Sequence, residues 1–306
     1  MRRLFYFFID GIGLGPCDEA TNPLIKLFQP YTGLPLCDLD QPTRFPGGII
    51  VPADATLGVD GTPQSATGQT ALFTGINAPE LLGYHLTAFP NEPLLPVIAE
   101  YSIMKALKDV GRRVTSANLY SKEYFEARSK RRRNMFSATT LTIRASGVPF
   151  RMPEDFTAGK AVFADITGDF ARARGFPIPI ITPEEGAMRL LAAWEGYDFI
   201  MFEYFMTDKY GHKRDSGNLL KCVDTLNRFA GGVLSVMDPE RDAVLIVSDH
   251  GNAEDNTTGD HTLNKVPCLL FTRDEETARL FEKEVHDLTD TYRAVVRTLG
   301  CGGQKA

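Results

Sequence analysis

No apolar run in this 306-residue chain approaches the length of a membrane span. Its N-terminal stretch Leu4–Ile9 is six residues long and gives way at once to Asp10-Gly11, which is also too short for the core of a secretory signal. Cys-x-x-Cys spacing is missing. The five cysteines, Cys17, Cys37, Cys222, Cys268 and Cys301, are scattered and odd in number. That argues against a disulfide framework or a thiolate metal site, and a reducing, cytoplasmic compartment is expected. Positive charge is not in excess either. The formal net charge is −6, so binding to a nucleic-acid polymer is not expected, and the basic run Lys130-Arg131-Arg132-Arg133 reads as a solvated face. Internal repeats and low-complexity tracts are absent. What remains is the composition of a globular chain, 43% hydrophobic and 24% charged, long enough for one large domain or a core carrying an insertion.

Five short apolar runs bounded by turn residues read as buried strands: Leu4–Ile9, Arg113–Ala117, Phe199–Phe202, Ala243–Val247 and Pro267–Phe271. Helical patterns lie between them. Ser102–Val110 stops at Gly111, and Thr182-Pro183-Glu184-Glu185 opens a helix as a capping box with proline at its first position. Lys213–Val236 and Thr289–Leu299 read as two more helices. Strands without strict alternation, separated by helices, predict a three-layer α/β/α sandwich around a mostly parallel sheet. Residues 129–180 are less regular and are read as a small inserted cap, with residues 1–128 and 181–306 forming the core domain.

Ligands of open α/β sheets collect beyond the carboxyl ends of the strands, so polar residues just after the apolar runs carry weight. Asp10 follows the first run. Asp208 and His212, one helical turn apart, follow Phe199–Phe202, and Asp249-His250 follow Ala243–Val247. His261 arrives after a polar loop, and the chain has only five histidines in all. Taken singly, each has an ordinary reading as a turn residue, a surface pair or a satisfied histidine. Jointly, carboxylates and imidazoles converging without lysine or arginine would repel and lose solvation unless a cation sits among them. Mixed oxygen and nitrogen ligands suit Zn²⁺ or Mn²⁺, and this many ligands suits a pair of ions, which lie about 3.5–4 Å apart in such sites. Ser65, at the head of a helical run ending at Gly75, is either an ordinary N-cap or a nucleophile whose phosphate lies on the helix's positive end. With no basic residue beside it in sequence, activation by metal is expected rather than by a histidine base.

These stretches resemble the alkaline phosphatase superfamily of metalloenzymes, and within it the core of cofactor-independent phosphoglycerate mutase and phosphopentomutase. The resemblance rests on S-D-H-G-N-A-E (Ser248–Glu254), G-D-H-T-x-N-x-V-P (Gly259–Pro267), F-I-D-G-I-G-L-G-P (Phe8–Pro16), D-K-Y-G-H (Asp208–His212) and S-A-T-G-Q-T-A-L-F-T-G (Ser65–Gly75). It covers Met1–Gly83 and Ile181–Gly300. It implies an alkaline phosphatase-like fold in which Asp10, Ser65, Asp249 and His250 hold one metal and Asp208, His212 and His261 hold the other. Ser65 would be the nucleophile, forming a phosphoseryl intermediate.

Two departures matter. Gln69 stands where the mutases have a histidine, and the mutases' large second domain is reduced here to some fifty residues. A mutase must shield its phosphoserine from water while the product turns over, usually with a closing domain. The expectation is therefore a two-metal phosphohydrolase acting on a small-molecule phosphomonoester or phosphodiester, with two Mn²⁺ or Zn²⁺ ions and no membrane association. A phosphomutase with a reduced cap is the alternative, and a non-catalytic metal- or phosphoester-binding relative is a third reading. Gln69, His85, Lys122, Arg128 and Lys209 are the candidates for substrate contacts.

Overall fold

Strand β1 (Arg3–Ile9) lies inside a seven-stranded sheet whose other members are β2 (Thr43–Phe45), β3 (Gly48–Ala53), β4 (Val114–Ser116), β5 (Phe199–Tyr204), β6 (Asp242–Val247) and β7 (Val266–Phe271). The spatial order is β2-β3-β7-β6-β1-β5-β4. The computed structural model describes residues 3–131 and 135–300; Arg132 and Arg133 of the basic run and Cys301 lie outside them. β1 pairs in parallel with β5 and β6, and β4 with β5, whereas β6–β7, β7–β3 and β3–β2 are antiparallel. Only β7 and β2 therefore run against the rest, in a mixed sheet that is mostly parallel in direction.

Both faces of this sheet are covered, which is why β1 is apolar at every position after Arg3. Phe5, Phe7 and Ile9 enter one core with Leu190, Trp194, Leu226 and Phe229 from helices Pro183–Trp194 and Ser216–Leu234. Leu4, Tyr6 and Phe8 enter the opposite core with Phe73, Leu107, Ile143 and Val295. Those four come from helices Ser65–Thr74, Ile103–Asp109, Ala138–Ser146 and Leu288–Gly300. A fully buried side chain of this size contributes roughly 1.5–3 kcal/mol. The two apolar faces thus hold β1, and with it the position of Asp10, from above and below.

Three details differ from the sequence expectation. β2 and β3 were not expected, because Pro52 interrupts the run Gly48–Ala53. In the register Pro52 faces Pro267 of β7, so two residues that both lack an N–H sit opposite one another. The helix expected from Lys213 begins at Ser216, because Asp215 caps it by accepting from the Asn218 N–H. Cys17 and Cys37 are joined in a disulfide, against the expectation of unpaired cysteines. Cys222 and Cys268 are free and buried.

Between β4 and β5 the chain forms helices Lys122–Ser129, Ala138–Ser146, Pro153–Thr157 and Asp169–Ala173. Ala138–Ser146 packs on the helices that cover the β4 side of the sheet. Among the described residues, no helix is long and apolar enough to cross a membrane.

Candidate metal centre

Because β1, β5 and β6 are parallel neighbours, their carboxyl ends open on one edge of the sheet. Asp10 follows β1 directly, Asp208 lies on the short helix Met206–Gly211 after β5, and Asp249-His250 follow β6. The loop after His250 returns through an antiparallel bridge between Gly251 and Thr262, which brings His261 back beside it. Two triads result: Asp10 with Asp249 and His250, all buried, and Asp208 with His212 and His261. Within each, one ligand-type atom per residue lies within 4.8 Å of the others. The stacked rings of His250 and His261, with centroids 3.6 Å apart, join the triads into one cluster.

The histidine tautomers decide what this cluster wants. His212 Nδ1 lies 2.7 Å from the Gly259 carbonyl, His261 Nδ1 2.8 Å from that of Pro63, and His250 Nδ1 3.3 Å from that of Gly251. A carbonyl can only accept, so each Nδ1 carries a proton, and in the neutral form of the ring, the one that binds a metal, Nε2 turns a bare lone pair inward. His212 Nε2 and His261 Nε2 then stand 3.2 Å apart, acceptor against acceptor, with Asp208 Oδ1 3.4 Å from both. In the other triad, His250 Nε2 is 3.3 Å from Asp10 Oδ1 and 3.5 Å from Asp249 Oδ2. Asp10 Oδ1 and Asp208 Oδ1 are buried without a hydrogen-bond partner. Inward lone pairs and orphaned carboxylate oxygens are what a divalent cation satisfies, so the residues fit a metal ion in each triad.

The carboxyl groups feel the crowding. Burial, and then the charges of Asp249, Asp208 and Glu203, push Asp10 well above the usual aspartate range. Burial also raises Asp249, against the lowering influence of His250 and Gln69. For Asp208, burial works upward, but without a metal the protonated imidazoles of His261, His250 and His212 outweigh it, and its carboxyl is lowered.

Ser65 is the first residue of its helix, and its Oγ lies 3.1 Å from His250 Nε2. Sequence proximity gave no hint of this imidazole, which comes from 185 residues away. His250 Nε2 also lies near Asp10 and Asp249, so the hydroxyl stands beside that triad.

The other candidates are placed as follows. Gln69, one turn after Ser65 and buried, donates through Nε2 to Asp249 Oδ2 at 3.1 Å and Asp10 Oδ2 at 3.4 Å, which holds two like-charged carboxylates together. His85 bonds the Val59 carbonyl on a loop that lies over the start of the Ser65 helix, where the Leu86 carbonyl accepts from the Ala66 N–H. The Arg128 guanidinium donates to the Met135 carbonyl and stacks 3.8 Å over Tyr124. Lys209 Nζ sits 3.7 Å over the Phe170 ring, and Lys122 is exposed. Among the described residues, none of His85, Lys122, Arg128 and Lys209 hydrogen-bonds or ion-pairs with the two triads. Tyr120 is buried against Tyr124, Phe125 and Phe150, while Tyr84 is half exposed.

One group was missed. Glu203, in β5, has its carboxyl pushed up to about 7 by burial and by Asp249, and its charge acts in turn on Asp10. An acid inside the apolar run FIMFEYF, five residues before Asp208, was the available signal.

Residues 180–300, which carry Asp208, His212, Asp249, His250 and His261, match the family model described as Metalloenzyme superfamily. That stretch, which holds every ligand-type residue of the two triads except Asp10, is similar to the Metalloenzyme superfamily. Among curated relatives of this chain is a 2,3-bisphosphoglycerate-independent phosphoglycerate mutase of Agrobacterium fabrum, 36% identical over 84 residues, or 25% of this chain and 17% of that protein. The corresponding protein of Moorella thermoacetica is 29% identical over 119 residues, or 37% of this chain and 23% of that one. The chain thus matches about a fifth of the length of these relatives. Among solved structures, an alkaline phosphatase of Thermus thermophilus superposes with a TM-score of 0.59 at 13% identity, over 98% of this chain and 91% of that one. An alkaline phosphatase of the Antarctic bacterium TAB5 gives a TM-score of 0.55 at 11% identity, over 97% and 98%. At such identities the likeness is one of fold.

Proposed function

We propose that this chain is an alkaline phosphatase superfamily enzyme, a two-metal phosphohydrolase that cleaves a small-molecule phosphomonoester or phosphodiester through a phosphoserine at Ser65. The observation that carries the reading is the pair of inward lone pairs on His212 and His261, 3.2 Å apart, in a cluster that also holds Ser65 Oγ 3.1 Å from His250 Nε2. Asp10, Asp249, His250 and Ser65 would hold one divalent cation, Mn²⁺ or Zn²⁺, and Asp208, His212 and His261 the other. Such cations supply Lewis-acid charge at the phosphoryl oxygens and favour ionised oxygen nucleophiles at neutral pH. Ser65 Oγ attacks phosphorus, the ester oxygen leaves, and water then breaks the Ser65–phosphate bond, returning the serine. The start of the helix Ser65–Thr74 favours the anion that Ser65 receives. Gln69 keeps the Asp10 and Asp249 carboxylates aimed at one point.

Hydrolysis is favoured over transfer within the substrate by the interval between Ser65 and Asp208, in which, among the described residues, the candidate cap of residues 129–180 forms only the short helices Ala138–Ser146, Pro153–Thr157 and Asp169–Ala173. The mutase relatives favour the second reading, a phosphomutase with a reduced cap. The test is turnover of a phosphoester panel with Mn²⁺ or Zn²⁺, reading inorganic phosphate release. Ser65→Ala should abolish release while leaving the chain's metal content close to wild type. Equal rates in mutant and wild type exclude the covalent route. Interconversion of phosphate positions without phosphate release selects the mutase.

A further inference from the structure

The two triads are tied together by a carboxylate that belongs to neither. Glu254 is fully buried and takes four hydrogen bonds, two on each oxygen. Oε2 accepts from the Gly13 N–H at 2.9 Å and the Asn252 N–H at 2.7 Å. Oε1 accepts from the Thr262 hydroxyl and from Asn264 Nδ2 at 3.0 Å. Each donor's segment holds residues of the cluster. Gly13 is three residues after Asp10, Asn252 is two after His250, and Thr262 is next to His261.

The surroundings are shaped to this side chain. A Cβ on Gly13 would lie 2.3 Å from Glu254 Oε1, and one on Gly251 would lie 2.4 Å from the same atom. Gly13 of D-G-I-G and Gly251 of D-H-G-N are therefore required by the space that Glu254 and its partner Thr262 fill. A side chain with no polar job would need neither the glycines nor four donors.

We infer that Glu254 is a positioning residue whose reach fixes the distance between the Asp10–Asp249–His250 triad and the triad containing His261, and so the spacing of the two cations. The inference rests on the two-metal reading above. It is a claim about geometry, and that gives it a polarity test. In Glu254→Gln the amide oxygen can keep both backbone N–H groups. The new NH₂ then meets the Thr262 hydroxyl, which can accept, and Asn264, whose amide can turn its oxygen inward. In Glu254→Asp the carboxylate is one methylene short and cannot span both sets of donors. Thr262→Val removes the hydroxyl that ties His261's neighbour to the hub, with little change in shape.

The experiment is Mn²⁺ titration of the metal-free full chain, followed by calorimetry and by electron paramagnetic resonance, with thermal unfolding in chelator to show that each variant folds. Wild type should bind two Mn²⁺ and give the signal of a magnetically coupled pair. Glu254→Gln should keep the pair, with the second affinity within about fivefold. Glu254→Asp and Thr262→Val should bind the second ion at least about 10-fold more weakly and show isolated Mn²⁺, in the range seen when groups behind metal ligands are removed. Wild-type affinity and coupling in both Glu254→Asp and Thr262→Val would overturn the inference and leave the two-metal reading standing. Loss of the pair in Glu254→Gln would overturn it too, by showing that charge and not reach matters. Failure of wild type to bind a pair would instead overturn the reading beneath it. Should Glu254→Asp fail to fold, Thr262→Val decides alone.

Discussion

Replacing Glu203 by glutamine should make the metal-free protein less sensitive to alkali. The Glu203 carboxyl is held at about 7 against an ordinary 4.5, chiefly by burial and partly by the Asp249 charge. A carboxyl raised in the folded state binds more protons folded than unfolded between those values. Its contribution to stability is thus fully present below about pH 4.5 and is lost as pH rises through 7. The shift corresponds to roughly 3 kcal/mol at 1.36 kcal/mol per unit. Because the residue itself is not fully buried, about 2 kcal/mol is the working figure. For a chain of this size that is a difference of roughly 3 °C in midpoint. Wild type and Glu203→Gln should be unfolded in chelator at pH 5 and pH 8, by urea and by heat. Wild type should lose about 2 kcal/mol more than the mutant across that interval. Asp10 and Asp249 titrate in both proteins, so the difference between the profiles reads Glu203 together with its charge coupling to Asp10. Parallel pH profiles would refute the argument that β5 carries a strained acid behind the metal centre.

Other outcomes follow from the same geometry. Asp208→Asn removes one charged ligand-type oxygen from the second triad and should leave about one Mn²⁺ per chain by elemental analysis, with a folded circular dichroism spectrum. Gly13→Ala drives a methyl group into Glu254 and should cost roughly 1–3 kcal/mol by urea unfolding, in line with overpacking elsewhere. Asp242→Asn breaks the two-point pair between Asp242 and the Arg3 guanidinium. With Asp242 buried and Arg3 partly open to solvent, a loss of about 2–3 kcal/mol is expected from the same measurement. Thr182→Ala removes half of the reciprocal cap with Glu185 and should cost about 1 kcal/mol.

The strands that carry the site were readable because burial on both faces leaves a short, unbroken apolar signature, as in Leu4–Ile9 and Ala243–Val247. β2 and β3 were not, since a proline inside a strand is tolerated only where its missing N–H has no partner to satisfy. That condition, Pro52 opposite Pro267, exists only in the folded register. The two triads could be suspected from residue type because aspartate and histidine after parallel strands collect at one edge. Their tautomers could not, since the carbonyls of Pro63, Gly251 and Gly259 that fix them are backbone groups any sequence offers. The Cys17–Cys37 bridge escaped for the opposite reason: an odd cysteine count says nothing about which two approach. Glu254 was quoted within S-D-H-G-N-A-E, yet its work is done by donors on three separate segments and had no local mark.

The central claim is that Asp10, Ser65, Asp249 and His250 hold one cation and Asp208, His212 and His261 another beside it. Anomalous diffraction from crystals of the full chain grown with Mn²⁺ measures this directly. Two anomalous peaks, one within each triad and both gone after chelation, are the predicted result. A single peak, or peaks outside these side chains, would contradict the account.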